Sequence, residues 1–372
     1  MKNLGLRHHV WSAAVLSALL MASTAGSVRA VTLEQKWQAG QQLDYNVLLN
    51  GTVNLLAPAD APFFLAGVPM QAKLDLKAQT TFDALAVADD GTGTVAVRVG
   101  GLKMTAEAFG GALVVENGRA RIMMNGAPLD EGRSFNQDAL QNPPFALQIS
   151  RQGRVTNLVP IKKTAPANEA QPDKASGKGF DMGRFVVPLI MRALPTLWPA
   201  RDLKIGDKWQ GEVGWPVPQA ADGKTTGGAT AEGAAEPAPD AALPTVGKMD
   251  FTLAAEEEIL GRKTQRIGVE GEVVLDAERI AALTKQADAK RGMPRLADAK
   301  QTVKGSIWFD AVAGQVVRAD LKLQTTAHGQ GKSTDAAGKS YMNFDGTLQM
   351  QLNKVSYAGM GAAPVAAAPV AR

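Results

Sequence analysis

Among 372 residues there are three histidines and no cysteine, which narrows the available chemistry before any fold is considered. His8 and His9 fall in an N-terminal stretch that reads as a signal peptide, so the exported chain keeps one imidazole, His328, in Thr326-Ala327-His328-Gly329-Gln330-Gly331. A hydroxyl or thiol nucleophile would need that imidazole as its base, yet the chain has no thiol and no Gly-x-Ser-x-Gly elbow. A single imidazole cannot supply the two or three nitrogens of a histidine-rich zinc site either. His328 therefore reads as a solvated loop histidine. No catalytic residue, metal ligand or cofactor is assigned.

The remaining chemistry-like patterns have plainer readings. Gly331-Lys332-Ser333 and Gly338-Lys339-Ser340 end like phosphate loops, but Thr326 and Ser333 stand where the first glycine should be. Gly91-Thr92-Gly93 precedes an alternating strand rather than a helix, so it is a turn and not a dinucleotide fingerprint. Glu256-Glu257-Glu258 could supply a carboxylate pair, but the run reads as a solvated strand end. Asp89-Asp90 is turn chemistry with at most a weak calcium contact. Trp198, Trp209, Trp215 and Trp308 gather in the second half, and Trp308 alternates to the polar face of its strand, where an indole can mark a partner surface.

The elements that would position any site are amphipathic strands. In Lys304 to Thr325, Val303, Gly305, Ile307 and Phe309 fall on one face before the break and Val317, Ala319, Leu321 and Leu323 after it, with Gly314 suited to the reversal. Met70 to Phe82, Thr94 to Val99, Lys248 to Ala255, Gln265 to Leu275 and Met342 to Leu352 repeat the design. Shorter strands are expected at Leu102 to Ala108, Ala112 to Glu116, Arg119 to Met124 and Phe145 to Ser150. Two helices are expected. One follows the Asp181 cap and carries Phe185, Val186, Leu189 and Ile190 on one face; the other covers Ala277 to Lys290.

The N-terminus supplies an address. Lys2 and Arg7 begin a basic segment, Val10 to Ala22 form an apolar run, and Val28-Arg29-Ala30 has the small-x-small pattern of a signal-peptidase site. The run is short of the ~20 apolar residues that a membrane helix needs. The mature protein is thus expected to start near Val31, in the periplasm or outside the cell, without a lipid anchor because no cysteine follows. Loss of Lys2, Arg7 and Arg29 lowers the formal charge from +4 to +1, so no basic surface remains for nucleic acid.

Gly40-Gln41-Gln42-Leu43-Asp44-Tyr45-Asn46-Val47 parallels Gly206-Asp207-Lys208-Trp209-Gln210-Gly211-Glu212-Val213, which suggests an internal repeat. The expected organisation is a signal peptide (1–30), a first β lobe (31–160), a linker with a short helix (161–200), and a second lobe (201–357) containing a disordered insertion (217–246). A flexible tail (358–372) follows. Pro195 to Trp209, a proline-rich lead into Gly206-Asp207-Lys208-Trp209, together with the Phe309-Asp310 to Gly314-Gln315-Val316 hairpin, resembles an uncharacterised family of exported bacterial β-proteins. That resemblance implies no chemistry. At the level of fold alone, long amphipathic strands wrapped on a helix look like the Lol-type lipoprotein carriers of the periplasm.

The fold class expected is mainly β: antiparallel sheets in two related lobes, curved like a half-barrel, with a short helix between them and one helical insertion. Wide apolar strand faces with few helices to cover them imply a non-enzymatic protein that binds a hydrophobic ligand, a lipid or lipoprotein, or an envelope partner. Phe185, Leu189, Phe309, Leu321, Phe344 and Leu348 are the candidate binding residues. A structural or assembly module acting through sheet edges is the alternative.

Overall fold

The computed structural model describes residues 30–56, 69–108, 110–116, 118–129, 133–134, 145–161, 197–214, 245–275, 295–330 and 339–358. Both expected helices, the insertion up to residue 244, residues 162–196 of the linker and the tail from residue 359 lie outside these, as do residues 1–29. Every regular element among the described residues is a strand.

In the first half these are β1 (Val31–Thr32), β2 (Gln41–Leu56), β3 (Pro69–Val87), β4 (Gly93–Ala108), β5 (Gly111–Glu116) and β6 (Arg119–Met124), followed by β7 (Ala127–Pro128), β8 (Arg133–Ser134), β9 (Phe145–Ile149) and β10 (Val155–Pro160). The second half contributes β11 (Asp202–Leu203), β12 (Lys208–Gly214), β13 (Thr245–Ile259), β14 (Arg262–Leu275), β15 (Arg295–Asp310), β16 (Gln315–Gln330) and β17 (Lys339–Tyr357). All but β1 and β11 join one antiparallel sheet of 15 strands, in the order β12-β13-β14-β15-β16-β17-β2-β3-β4-β5-β6-β7. The sheet forks at β4, whose first residues pair with β9 and whose last pair with β5. β9 carries β10, and β8 lies on β6. The ends β12 and β10 do not pair with each other, so the sheet is not a closed barrel.

Alternation read from sequence identifies the strands but underestimates their length. Gly100-Gly101 separates two expected strands, yet β4 runs straight through: Lys77 pairs with Lys103 and Gln79 with Gly100, so one extra residue is absorbed as a bulge, with Gly101 at φ 56°. β2 likewise runs unbroken from Gln41 to Leu56. The polar stretch after residue 327 was expected as a loop, but β16 extends to Gln330, held by β15 on one side and β17 on the other. Tertiary pairing overrides a weak local pattern there.

The two ends of the sheet differ. At one, the turn end, β3–β4, β9–β10, β13–β14 and β15–β16 are joined by short reversals. At the other, the loop end, connections 57–68, 215–244, 276–294 and 331–338 leave the sheet; these lie outside the described residues. The turn end is closed by two segments. β1 pairs with β11, placing Val31 opposite Leu203. The N–H groups of Gln35 and Lys36 donate to the carbonyls of Arg151 (2.7 Å) and Gly314 (3.0 Å), and that of Trp198 donates to Gln152 (2.8 Å). The β9–β10 and β15–β16 reversals are thereby tied to the same strap, and Leu33 and Leu203 beneath it are fully buried.

A single core cluster joins β2 to β4, β9 and β13 to β17. One register row crosses eleven strands: Trp209, Phe251, Val269, Gly305, Leu321, Leu348, Leu49, Leu76, Met104, Val115 and Ala120. All eleven project to the same side, here called the inner face. The segments on either side of residues 161–200 thus share one sheet, with β17 against β2 as its seam. Gly40 (φ 78°) leads into β2, and Gly206 (φ 95°) stands just before β12, the positions that the sequence parallel aligns.

Candidate functional site

The inner face is built by strict alternation, and its most informative property is what the alternation leaves out. On β2 to β6 and β13 to β17, away from the bulged turn end, the described inner positions carry no Lys, Arg, Asp or Glu. Charge is confined to the outer face, where Lys304 meets Glu270 (3.1 Å) and Lys103 meets Glu116 (2.6 Å). That segregation is what a desolvated surface requires, because an unpaired charge turned inward would cost several kcal/mol.

Four of the six candidate binding residues share this face. Phe309 lies at the turn end, fully buried against Trp198 with ring centroids 4.7 Å apart. Leu321 and Leu348 are paired neighbours in the long row and are also buried. Phe344 lies nearer the loop end, and its ring covers a glycine pair: a Cβ on Gly51 or Gly346 would come within 2.6 Å or 2.4 Å of ring atoms. The ring fills space that two side chains would otherwise occupy. Phe185 and Leu189 lie outside the described residues.

Burial falls off toward the loop end and toward β5 and β6. Val53, Leu74 and Met104 are half-buried. Leu113 (38%), Ile122 (49%), Met124 (39%) and Met342 (42%) are exposed. All four are inner-face residues: Leu113 and Ile122 extend the Leu74–Ala106 row, Met124 pairs with Gly111, and Met342 stands between Ala327 and Leu55. Sequence reasoning put Met342 on the face of Phe344 and Leu348 but placed strands at Leu113, Ile122 and Met124 without choosing a face. The usable signal was the alternation of Ala120, Ile122 and Met124 with Arg119 and Arg121.

Ionisable groups elsewhere are held in structural contacts. His328 sits in a strand rather than a loop, and its Nδ1 is 2.7 Å from Oδ1 of Asp298 across the β15–β16 ladder. The Trp308 Nε1–H donates to Glu257 (2.8 Å), Arg266 contacts the same carboxylate (3.2 Å), and the Arg318 guanidinium lies 5.2 Å from the indole centroid. Glu256 pairs with Lys263 (2.7 Å). The acidic run is thus engaged by cations instead of forming a carboxylate pair. Asp90 accepts from the Thr92 N–H (2.8 Å) and hydroxyl (3.0 Å), which hold its carboxyl below the usual range. The Lys103 ammonium does the same for Glu116. Buried Tyr45 is pushed the other way by desolvation, with Arg262 opposing.

Among the described residues no group of three or more His, Asp or Glu side chains could hold a metal, and no helix is long and apolar enough to cross a membrane. No family model matches the chain, and no curated protein sequence matches it, so the site rests on its own geometry.

Proposed function

We propose that this is a non-enzymatic exported protein that holds a hydrophobic ligand on the inner face of its sheet, at the loop end. One observation carries the reading: Leu113, Ile122, Met124 and Met342, exposed large apolar side chains on three strands, all project from the face that elsewhere forms the core. Exposed apolar residues scattered singly need no explanation, whereas several on the face that also builds the core mark a candidate binding surface. Export is supported by the basic start, apolar run and Val28-Arg29-Ala30 site.

Native mass spectrometry of the protein purified from the compartment to which it is exported tests this. A retained lipid or other apolar molecule is expected, and Ile122→Asp should lose it while remaining folded, because the side chain is already half exposed. A wild-type protein that carries nothing and binds no apolar probe would overturn the reading. Among the described residues β12 has a strand neighbour on one side only, which favours a second one, envelope assembly by strand addition there. Cross-linking that recovers a specific protein partner at Lys208, with no lipid bound, would select it.

A further inference from the structure

Among the described residues the strand order ends at β12, which has β13 on one side and no strand on the other. The N–H of Leu253 donates to the Asp207 carbonyl (2.9 Å), and the antiparallel ladder alternates from there. Trp209, Gly211 and Val213 turn their main-chain groups toward β13, while Lys208, Gln210 and Glu212 turn theirs outward. The Arg201 guanidinium marks the outward side, because its Nη2 lies 3.3 Å from the Lys208 carbonyl. An outward row of main-chain donors and acceptors is a template for another strand.

The side chains of that row decide which strand fits. Lys208, Gln210 and Glu212 are exposed and share the outer face, a cation and an anion placed symmetrically about a neutral residue. Two copies of β12 laid antiparallel, with Gln210 opposite Gln210, bring Lys208 of each opposite Glu212 of the other and turn all the outward residues into hydrogen-bonded pairs. Centring the pair on Lys208 or on Glu212 instead sets like charges against each other. Glu212 also faces Lys248 across the β12–β13 ladder, so in the pair its carboxylate lies between two ammonium groups. On the inner face Trp209 of each copy stands opposite Gly211 of the other, a position with no side chain of its own and covered by Leu197, whose Cβ is 2.6 Å from where a Gly211 Cβ would be.

We propose that β12 is a homodimerisation strand, whose partner is the β12 of a second copy of this chain, added edge to edge about a two-fold axis through Gln210. This names the occupant for strand addition at β12 and rests on that second reading, not on the apolar-face one. The contact uses the same residues from both copies, so it closes at two and does not propagate into a fibre. About six main-chain hydrogen bonds and a pair of ionic contacts over so short a strand make a small interface. The dissociation constant is accordingly expected at about 10–100 μM.

The test is sedimentation equilibrium of the full mature chain from about 1 μM to about 300 μM, where a dimer that dissociates on dilution is expected. Lys208→Glu and Glu212→Lys should each weaken it about tenfold, because like charges then face each other twice. An equal mixture of the two variants should recover it, since each supplies the charge that the other lacks. Gln210→Pro removes an outward N–H that β13 does not use, so it should abolish the dimer and leave urea unfolding nearly unchanged. A monomer at every concentration, with a different protein cross-linked at Lys208 in its own compartment, would overturn self-pairing and leave strand addition standing. A monomer with nothing captured there would overturn both. A dimer indifferent to all three substitutions would place the contact on another surface and overturn the proposal as well.

Discussion

The indole of Trp37 lies on the bare backbone of Gly93: a Cβ at that glycine would stand 2.4 Å from Cδ1 of the ring. The same N-terminal segment is hydrogen-bonded through the Gln35 and Lys36 N–H groups to the β9–β10 and β15–β16 reversals, and the Lys36 ammonium donates to the carbonyls of Ala311 (3.2 Å) and Val312 (3.1 Å), so the indole is one of several anchors of this strap. Gly93→Ala is expected to push the ring away and cost about 2 kcal/mol of stability, and Trp37→Ala about 3–5 kcal/mol. Because both changes remove one contact, the double variant should lose clearly less than the sum. Urea unfolding of the four proteins gives the cycle; strict additivity would show that the strap is anchored elsewhere.

A second prediction concerns the β13–β14 reversal. Ile259 pairs with Arg262, leaving Leu260 and Gly261 as a two-residue turn with φ of 54° and 71°. Both central residues have positive φ, the geometry that matches the twist of the flanking strands and favours Asn-Gly. Leucine there is strained by about 1–2 kcal/mol. Leu260→Asn should therefore stabilise the protein by about 1 kcal/mol, seen as a higher urea midpoint with an unchanged slope. A lower midpoint would mean that the partly buried leucine contributes more through packing than its backbone loses.

These positions show where sequence reading succeeds and where it fails. The alternation of Leu321, Leu323, Leu348 and Met350 identified both the strands and the buried face, because a period of two is set by the residues themselves. The Gly314 reversal was legible for a local reason, its φ of 68°. Gly100-Gly101 could not be read as a bulge from sequence, since a break and a bulge have the same composition and only the β3 register separates them. His328 was read as a loop residue because its neighbours are polar on both sides; pairing with Asp298 on a distant strand decided otherwise.

A third prediction isolates close strand approach from glycine content. A Cβ on Gly305 would stand 2.1 Å from the Asp320 carbonyl oxygen, a main-chain atom that cannot swing aside, whereas at Gly268 the nearest atom lies 3.8 Å away. Both are strand glycines without positive φ, so space alone distinguishes them. Gly305→Ala should cost roughly 2–4 kcal/mol, and Gly268→Ala should change stability by no more than about 0.5–1 kcal/mol, in the stabilising direction if at all. Equal effects at the two sites would refute the steric account.

Tyr45 gives the fold an alkaline limit. Its hydroxyl donates to the Val316 carbonyl (2.9 Å), its ring meets Phe82 edge-on at 5.5 Å, and burial pushes the phenol well above its ordinary value, with Arg262 opposing. An unfolded chain ionises at about pH 10, whereas the folded one resists. The folded pKa is the higher of the two, so the contribution of this group is complete below about pH 10 and declines as the pH rises beyond it, by up to about 1.4 kcal/mol per pH unit. Tyr45→Phe removes the ionisable group and leaves the Val316 carbonyl without its donor. It should cost about 1 kcal/mol at neutral pH and lose stability more slowly than wild type between pH 10 and pH 11. Urea midpoints at pH 7.5, 10 and 11 decide the matter: if the two proteins decline in parallel above pH 10, ionisation of Tyr45 does not set the alkaline limit.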